Sequence, residues 1–117
     1  MILLAEDDTS TRAFLRLYLE KMGHSVVEAT DGTMALATMR TAKVHLVVTD
    51  LEMPGTSGLD LIDAIRGGPQ RNVPVIAISG HPDMLVQATA AGAQYALCKP
   101  IRYAQLEPLV RALIPAP

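Results

Sequence analysis

Acidic, hydroxyl and basic side chains follow four hydrophobic segments of the sequence, at the point where each segment ends. The pairs are Ile2–Ala5 with Glu6-Asp7-Asp8, Val44–Thr49 with Asp50, Val75–Ile78 with Ser79-Gly80, and Tyr95–Cys98 with Lys99-Pro100. Short apolar runs that end in turn residues are typical of buried strands. The carboxyl ends of parallel strands meet at one edge of an open sheet, where ligands bind. The sequence therefore predicts that acids, a hydroxyl and an ammonium group converge at one edge.

The acids in this set point to a metal-assisted chemistry. Carboxylates of Glu6, Asp7 and Asp50 that met at one edge would repel one another unless a cation lay between them. A hard divalent ion with oxygen ligands removes this repulsion. Mg²⁺ keeps several waters while it binds one or two protein carboxylates and a phosphate oxygen. We therefore expect a divalent cation here, in a site suited to phosphate chemistry.

Alternating strand and helix patterns must position these side chains. The expected strands are Ile2–Ala5, Ser25–Ala29 (polar, at an edge), Val44–Asp50, Val73–Ile78 and Tyr95–Cys98. The expected helices begin at a Thr9 or Ser10 cap and at an Asp31 cap, then cover Gly58–Arg66, Met84–Ala91 and a last stripe from Leu106 to Leu113. We expect Pro108 to delay, tighten or kink the last helix. Right-handed crossovers make this order a parallel sheet with helices on both faces.

Composition indicates a single packed domain over residues 1–117. Half of the 117 residues are apolar, the net charge is −2, and there is one cysteine. No apolar run approaches the roughly 20 residues of a membrane span, and there is no secretion signal, so we expect a cytoplasmic protein without membrane contact. The scattered basic residues and only three tyrosines and one phenylalanine argue against direct nucleic-acid binding.

The combined motifs resemble the receiver domain of bacterial two-component response regulators, the CheY-like superfamily. The matching features are an acidic pair after the first strand, Asp50 followed by Met53-Pro54 and Gly58, then Ser79-Gly80, then Lys99-Pro100. The resemblance covers essentially the whole chain and implies the α/β class. It implies a (βα)5 doubly wound, flavodoxin-like fold whose five parallel strands have the order 2-1-3-4-5. It also implies one receiver domain without an output domain.

The resemblance assigns a role to each matching residue. An arginine five residues beyond the second acid is common in the family, and Arg12 lies five beyond Asp7, which favours Glu6 and Asp7 over Asp7 and Asp8 as the acidic pair. Asp50 would accept a phosphoryl group from a phosphohistidine, with help from Lys99 and Ser79.

The same resemblance implies a ligand set for Mg²⁺, with Mn²⁺ as a substitute. Asp7, Asp50 and the backbone carbonyl of Glu52 would bind directly and Glu6 through water. The backbone N–H groups of Glu52 and Gly80 would hold phosphoryl oxygens.

The implied function is a phosphorylation-activated signalling switch rather than an enzyme, although the domain would promote its own phosphorylation and dephosphorylation. The implied donor is a histidine kinase or histidine phosphotransfer protein. An unidentified downstream protein would bind the face formed by the fourth helix, fifth strand and fifth helix. The chain departs from the family at Ala96, the position where the switch aromatic usually lies. The neighbouring Tyr95 should not replace that aromatic residue, because side chains alternate along a strand and Tyr95 should point to the opposite face. Glu52 and His81 occupy positions that tune the lifetime of the phosphoryl group in the family.

Two other functions are weaker alternatives. An Mg²⁺-dependent phosphohydrolase of the haloacid-dehalogenase type would carry a second aspartate two residues after its nucleophile, where this chain has Glu52. A flavodoxin-like electron carrier would need a Ser/Thr-rich phosphate loop and aromatic residues around a flavin. Rossmann and Walker glycine patterns are also missing.

Overall fold

Five strands alternate with five helices in the computed structural model, which describes residues 1–117. The elements are β1 (Ile2–Ala5), α1 (Thr9–Lys21), β2 (Val26–Ala29), α2 (Gly32–Thr41), β3 (Leu46–Asp50), α3 (Gly58–Arg66), β4 (Val75–Ser79), α4 (Pro82–Ala91), β5 (Tyr95–Cys98) and α5 (Tyr103–Leu113). Every strand pair is parallel, and the order across the sheet is β2-β1-β3-β4-β5. This confirms the doubly wound, flavodoxin-like fold.

Helices cover both faces of the sheet, which explains why the inner strands β1, β3 and β4 are buried along their whole length. One hydrophobic cluster joins one face of the sheet to α2, α3 and α4 through residues such as Met39, Leu61 and Ala88. A second cluster joins the other face to α1 and α5 through residues such as Leu15 and Leu106. The edge strand β2 is only half-buried over most of its length, as its polar sequence predicts.

Side chains at the amino ends fix where several helices begin. Asp8 caps α1 and accepts hydrogen bonds from the Thr11 N–H at 2.8 Å and hydroxyl at 2.7 Å, so the predicted Thr9 or Ser10 cap is wrong. Thr9 and Ser10 are instead the first two helical residues, and the Asp8 carboxylate accepts the N–H of the third. Asp31 caps α2 as predicted. No helix combines the length and the apolar composition needed to cross a membrane.

The last helix differs most from the prediction. α5 begins at Tyr103, and Pro108 lies inside it, so the predicted late start is wrong. The Gln105 N–H donates to the Arg102 carbonyl at 3.0 Å, an i→i+3 bond of the 3₁₀ type that was the second expectation for this first turn. The Arg102 carbonyl accepts the Leu106 N–H at 3.2 Å, and the Gln105 side chain accepts the Arg102 N–H at 3.1 Å. These bonds establish the helix one turn before Pro108, because an N-terminal turn does not depend on the N–H that proline lacks.

Arg66 at the end of α3 ties together two loops at the edge of the sheet remote from Asp50. Its guanidinium donates to the carbonyls of Gly92, Arg71 and Val73, each at 2.7 Å, and to the Gln94 side chain at 3.2 Å. Gly92 ends α4 with a φ of 117°, a left-handed conformation that glycine adopts without strain. The carboxyl end of α4 is therefore joined directly to α3.

Candidate functional site

The sheet register brings the predicted site residues to one edge. In the pairing of β3 with β4, Asp50 lies opposite Ile78, and in the pairing of β4 with β5, Ser79 lies opposite Cys98. Glu6 and Lys99 immediately follow β1 and β5. The side chains that the sequence placed at four separate strand ends thus belong to one rim of the sheet.

Lys99 connects two of the acids. Its ammonium nitrogen lies 2.9 Å from Glu6 Oε1 and 3.2 Å from Asp50 Oδ2. The Glu6 residue has no solvent exposure and Asp50 has 2%. Buried carboxylates need a charged or hydrogen-bonding partner, and Lys99 supplies one to both.

The pKa values at this rim reflect burial and mutual contact. Burial raises the pKa of Glu6 to about 7, although the hydrogen bonds from Lys99 and the Asp8 N–H oppose that rise. Burial also raises the pKa of Asp50. Burial by itself lowers the pKa of Lys99, but the hydrogen bond with Glu6 and the charge of Asp50 outweigh it, so the pKa of Lys99 is raised. One ammonium therefore does not fully compensate the acids around it.

Glu6, Asp7 and Asp50 form the acidic cluster. Each offers a carboxylate oxygen, and these oxygens lie within 4.8 Å of one another. Oxygen donors at this spacing fit a hard divalent cation such as Mg²⁺. Asp8 is instead engaged as the α1 cap. Of the two registers open at the sequence level, the structure therefore brings the Glu6–Asp7 pair to Asp50.

Arg12 supports the backbone of the acidic loop. Its guanidinium donates to the Glu6 carbonyl at 3.0 Å and to the Asp7 carbonyl at 3.4 Å, and it also lies 3.7 Å from the Glu28 carboxylate. These contacts hold the first acids of the loop in place without using their side chains. They give a physical reason for an arginine at this spacing.

Ser79 makes contacts that its sequence position did not predict. Its hydroxyl donates to Glu52 Oε1 at 2.7 Å and accepts the His81 N–H at 2.9 Å. The Glu52 N–H donates to Asp50 Oδ1 at 3.3 Å, and His81 Nε2 lies 3.7 Å from Glu52 Oε1. Gly80 is exposed, and a Cβ added there would meet no atom within 4 Å. The Glu52 side chain lies two residues beyond Asp50 in the sequence, but no sequence signal predicted its contact with Ser79.

The two faces of β5 separate Ala96 from Tyr95. Ala96 packs against the cluster that includes α2, α3 and α4, whereas Tyr95 packs against the cluster that includes α1 and α5. Tyr95 therefore does not replace an aromatic residue at position 96, as the alternation of strand side chains predicts.

Comparison with known proteins shows the family to which this arrangement belongs. Residues 2–111 match the sequence profile described as response regulator receiver domain. The chain is 31% identical over 103 residues to the chemotaxis protein CheY from Pseudomonas aeruginosa, which covers 85% of this chain and 83% of that protein. It is 34% identical over 103 residues to the CAI-1 autoinducer sensor kinase/phosphatase CqsS from Vibrio cholerae, but the match covers 85% of this chain and 15% of that kinase.

A solved receiver domain has the same fold. The receiver domain of the sensor histidine kinase PA1611 from Pseudomonas aeruginosa PAO1, which holds a magnesium ion in its active site cleft, has a TM-score of 0.88. That match is 24% identical and covers 96% of this chain and 94% of that one. With the profile match across nearly the whole sequence, the chain belongs to the response regulator receiver domain family.

Proposed function

We propose that the chain acts as a phosphorylation-controlled switch whose phosphoacceptor is Asp50. The family is one of phosphoryl-accepting signalling domains, and this supports the general function. The observation that carries the assignment to Asp50 is its contact with the Lys99 ammonium, 3.2 Å away, in a cluster whose Glu6, Asp7 and Asp50 oxygens lie within 4.8 Å of one another. Asp50 also accepts the Glu52 N–H at 3.3 Å, in the loop that follows its strand.

In the proposed reaction an Asp50 oxygen attacks the phosphorus of a phosphohistidine. The P–N bond breaks, its electron pair stays on the imidazole, and an aspartyl phosphate forms. The phosphoryl group carries little bonding in the transition state, so alignment and charge neutralisation do most of the work. Lys99 supplies a positive charge at the attacking carboxylate, 3.2 Å away, and the backbone N–H groups of Glu52 and Gly80 would hold phosphoryl oxygens.

We assign the divalent cation to the acidic cluster. Asp7, Asp50 and the Glu52 carbonyl would bind it directly, and Glu6 would act through water because Lys99 already occupies Glu6 Oε1 at 2.9 Å. When bound, Mg²⁺ neutralises the phosphoryl oxygens and the neighbouring carboxylates. Mn²⁺ also suits carboxylate, carbonyl and water ligands, and we propose that it can replace Mg²⁺. The magnesium ion in the PA1611 receiver domain supports this assignment.

We place the downstream interface on α4, β5 and α5. In α4 only Ala88 is buried and Val86 is 73% exposed, so this helix offers apolar surface to a partner. β5 is an edge strand, and all four of its residues are half-buried. Ser79 and its loop connect the phosphorylation site to α4. A histidine kinase or histidine phosphotransfer protein is the proposed donor.

The proposed role is regulatory, and the chain is its own substrate when it promotes phosphorylation or dephosphorylation. The phosphohydrolase alternative is not favoured, because the Glu52 carboxylate accepts from Ser79 instead of standing free as an acid or base. The chain has a single cysteine, the half-buried Cys98, which suits a reducing compartment, and we propose that the protein lies in the cytoplasm.

The test is phosphate incorporation from labelled acetyl phosphate. We expect label that depends on Mg²⁺, survives acid and is lost in base, as an acyl phosphate should be. Asp50→Asn should abolish it. Asp60→Asn, at an exposed position in α3, is the matched control and should leave it unchanged. Label that persists in Asp50→Asn, or that ignores removal of divalent cations, would contradict the proposal.

A further inference from the structure

The Ser79 hydroxyl has only one proton to donate, and that proton is already engaged. A serine hydroxyl is one donor and two acceptors. In this structure the hydroxyl donates to Glu52 Oε1 at 2.7 Å, with the His81 carbonyl as a longer alternative acceptor at 3.3 Å, while the oxygen accepts the His81 N–H at 2.9 Å. Ser79 itself is completely buried, so water does not compete for the proton. A phosphoryl oxygen on Asp50 can receive the hydroxyl proton only if Glu52 gives it up.

We propose that Glu52 is a positioning residue for phosphotransfer, one that holds the Ser79 hydroxyl away from the phosphoryl site until the phosphoryl group competes for it. The inference rests on the proposed function of Asp50. Glu52 is suited to this role because it lies two residues beyond Asp50, and its N–H already contacts Asp50 Oδ1 at 3.3 Å. Its backbone and its side chain thus contact two partners that phosphorylation must rearrange.

The second oxygen of Glu52 explains why the contact can be released. Glu52 Oε2 is buried and has no hydrogen-bond partner. An unsatisfied buried carboxylate oxygen is unfavourable. The hydrogen bond of Oε1 with Ser79 therefore stabilises the resting arrangement, and the unpaired Oε2 destabilises it. The Glu52 side chain is 37% exposed and can turn toward solvent, where both oxygens would be hydrated. The resting contact is therefore formed but not strongly favoured.

A purely electrostatic role for Glu52 makes a different prediction. A carboxylate near the phosphoryl group repels it whether or not Ser79 carries a hydroxyl. The proposed role requires that hydroxyl. A double-mutant cycle between Glu52 and Ser79 separates the two, because independent effects add and a shared contact does not.

The experiment measures the affinity of the Mg²⁺-loaded protein for beryllofluoride, an acyl-phosphate mimic, by backbone amide NMR. The four proteins are wild type, Glu52→Ala, Ser79→Ala and the double variant. We expect Glu52→Ala to tighten binding by about threefold or more, as expected for one lost competing hydrogen bond. In the Ser79→Ala background the same change should have no effect.

Glu52→Gln is the conservative variant, since it keeps an acceptor oxygen and removes the charge. We expect it to tighten binding less than Glu52→Ala does. Equal gains for both variants, or the same gain in both Ser79 backgrounds, would overturn the inference and leave charge repulsion as the explanation. Weaker binding by Glu52→Ala would also overturn it.

Asp50→Asn distinguishes this inference from the function on which it rests. If Asp50→Asn binds beryllofluoride as wild type does, the proposed phosphoacceptor is wrong. If Asp50→Asn loses binding while the Glu52–Ser79 cycle is additive, only the role of Glu52 is wrong.

Discussion

Glu6 has no solvent exposure, and its nearest compensating charge is the Lys99 ammonium at 2.9 Å. The same ammonium also lies 3.2 Å from Asp50, so it divides its charge between two buried acids. Burial raises the pKa values of Glu6 and Asp50, and the shared ammonium only partly offsets that rise. In the protein without a divalent cation, ionisation of these carboxylates therefore lowers the stability of the fold.

The stability of the metal-free protein should consequently fall as pH rises. The pKa of Glu6 is about 7 in the folded protein against 4.5 for an ordinary glutamate, so the folded state binds more protons between these values. The free energy of unfolding then decreases with rising pH across this window, by up to about 3 kcal/mol. Asp50 acts in the same direction. Urea unfolding followed by circular dichroism at pH 4.5 and pH 7.5, in the presence of a chelator, measures the effect.

Glu6→Gln should remove most of this decrease, and adding Mg²⁺ to the wild type at pH 7.5 should recover part of it. Glu20→Gln, a control at an exposed glutamate of α1, should keep the wild-type pH dependence. A wild-type protein that becomes more stable between pH 4.5 and 7.5 without divalent cations would contradict the argument.

At the scale of single residues, the sequence predicted which side chains meet but not how they pair. The strand ends were enough to predict that Glu6, Asp50 and Lys99 lie at one rim, because the carboxyl ends of parallel paired strands lie at the same edge of the sheet. The Ser79–Glu52 hydrogen bond depends on the rotamers of two side chains, and no spacing rule encodes these. The sequence favoured Glu6–Asp7 over Asp7–Asp8 as the acidic pair through the position of Arg12, and the structure adds that the Asp8 carboxylate is engaged as the α1 cap.

The start of α3 closely approaches the end of β3 that carries Asp50. A Cβ added to Gly58, the first residue of α3, would lie 2.2 Å from the Asp50 carbonyl oxygen and 2.6 Å from the Leu51 Cα. The Gly58 N–H also donates to the Leu51 carbonyl at 3.1 Å. Any side chain at Gly58 must therefore push the helix away from the backbone that positions Asp50.

Gly58→Ala should destabilise the fold by about 1–3 kcal/mol, because the contact involves backbone atoms that cannot rotate away. It should also slow phosphorylation of Asp50. Gly67→Ala, at the other end of α3, is the control, since the nearest atom to its added Cβ would be the Asp63 carbonyl oxygen at 3.7 Å.

We expect Gly67→Ala to change stability by about 0.5 kcal/mol or less. Urea unfolding and acetyl phosphate labelling of both variants test the pair. Equal stability losses for the two variants would show that the close approach of α3 to β3 has no special cost.

Helix ends were predicted correctly where the local sequence signals agreed, and incorrectly where one signal contradicted another. Both ends of α3 match the prediction, because Gly58 and the Gly67-Gly68-Pro69 break are unambiguous. Pro108 misled the prediction for α5, since the contacts that begin this helix come from Arg102 and Gln105, one turn earlier. Gly58 belongs to the motif that follows Asp50, but the physical reason for glycine there, a close approach to the Asp50 and Leu51 backbone, is seen only in the structure.

Across the whole molecule, burial is unevenly distributed among the helices. α3 buries Gly58, Leu61, Ile62 and Ile65, whereas α4 buries only Ala88 over ten residues. Segments with few buried apolar contacts open at a lower free-energy cost than the core. The helix next to Ser79 is therefore the one that a change at the site can move most easily.

Hydrogen exchange should show this difference. We expect the amides of α4 to exchange faster than those of α3, and the exchange of α4 to change when beryllofluoride and Mg²⁺ are added together. Mass spectrometry of peptides covering 82–91 and 58–66 makes the comparison. Asp50→Asn should show no response to the ligand. A response confined to α3, with α4 unaffected, would contradict a downstream face that includes α4.

The contacts of Arg66 have a geometric consequence for any such movement. They fasten the carboxyl end of α4 to α3 through Gly92 and Gln94, while the amino end begins at His81 without a side-chain cap. Because α4 is held at its carboxyl end, it can pivot about that end. Small shifts of the loop after Ser79 would then be converted into larger sideways displacements at the start of α4, with its far end as the pivot.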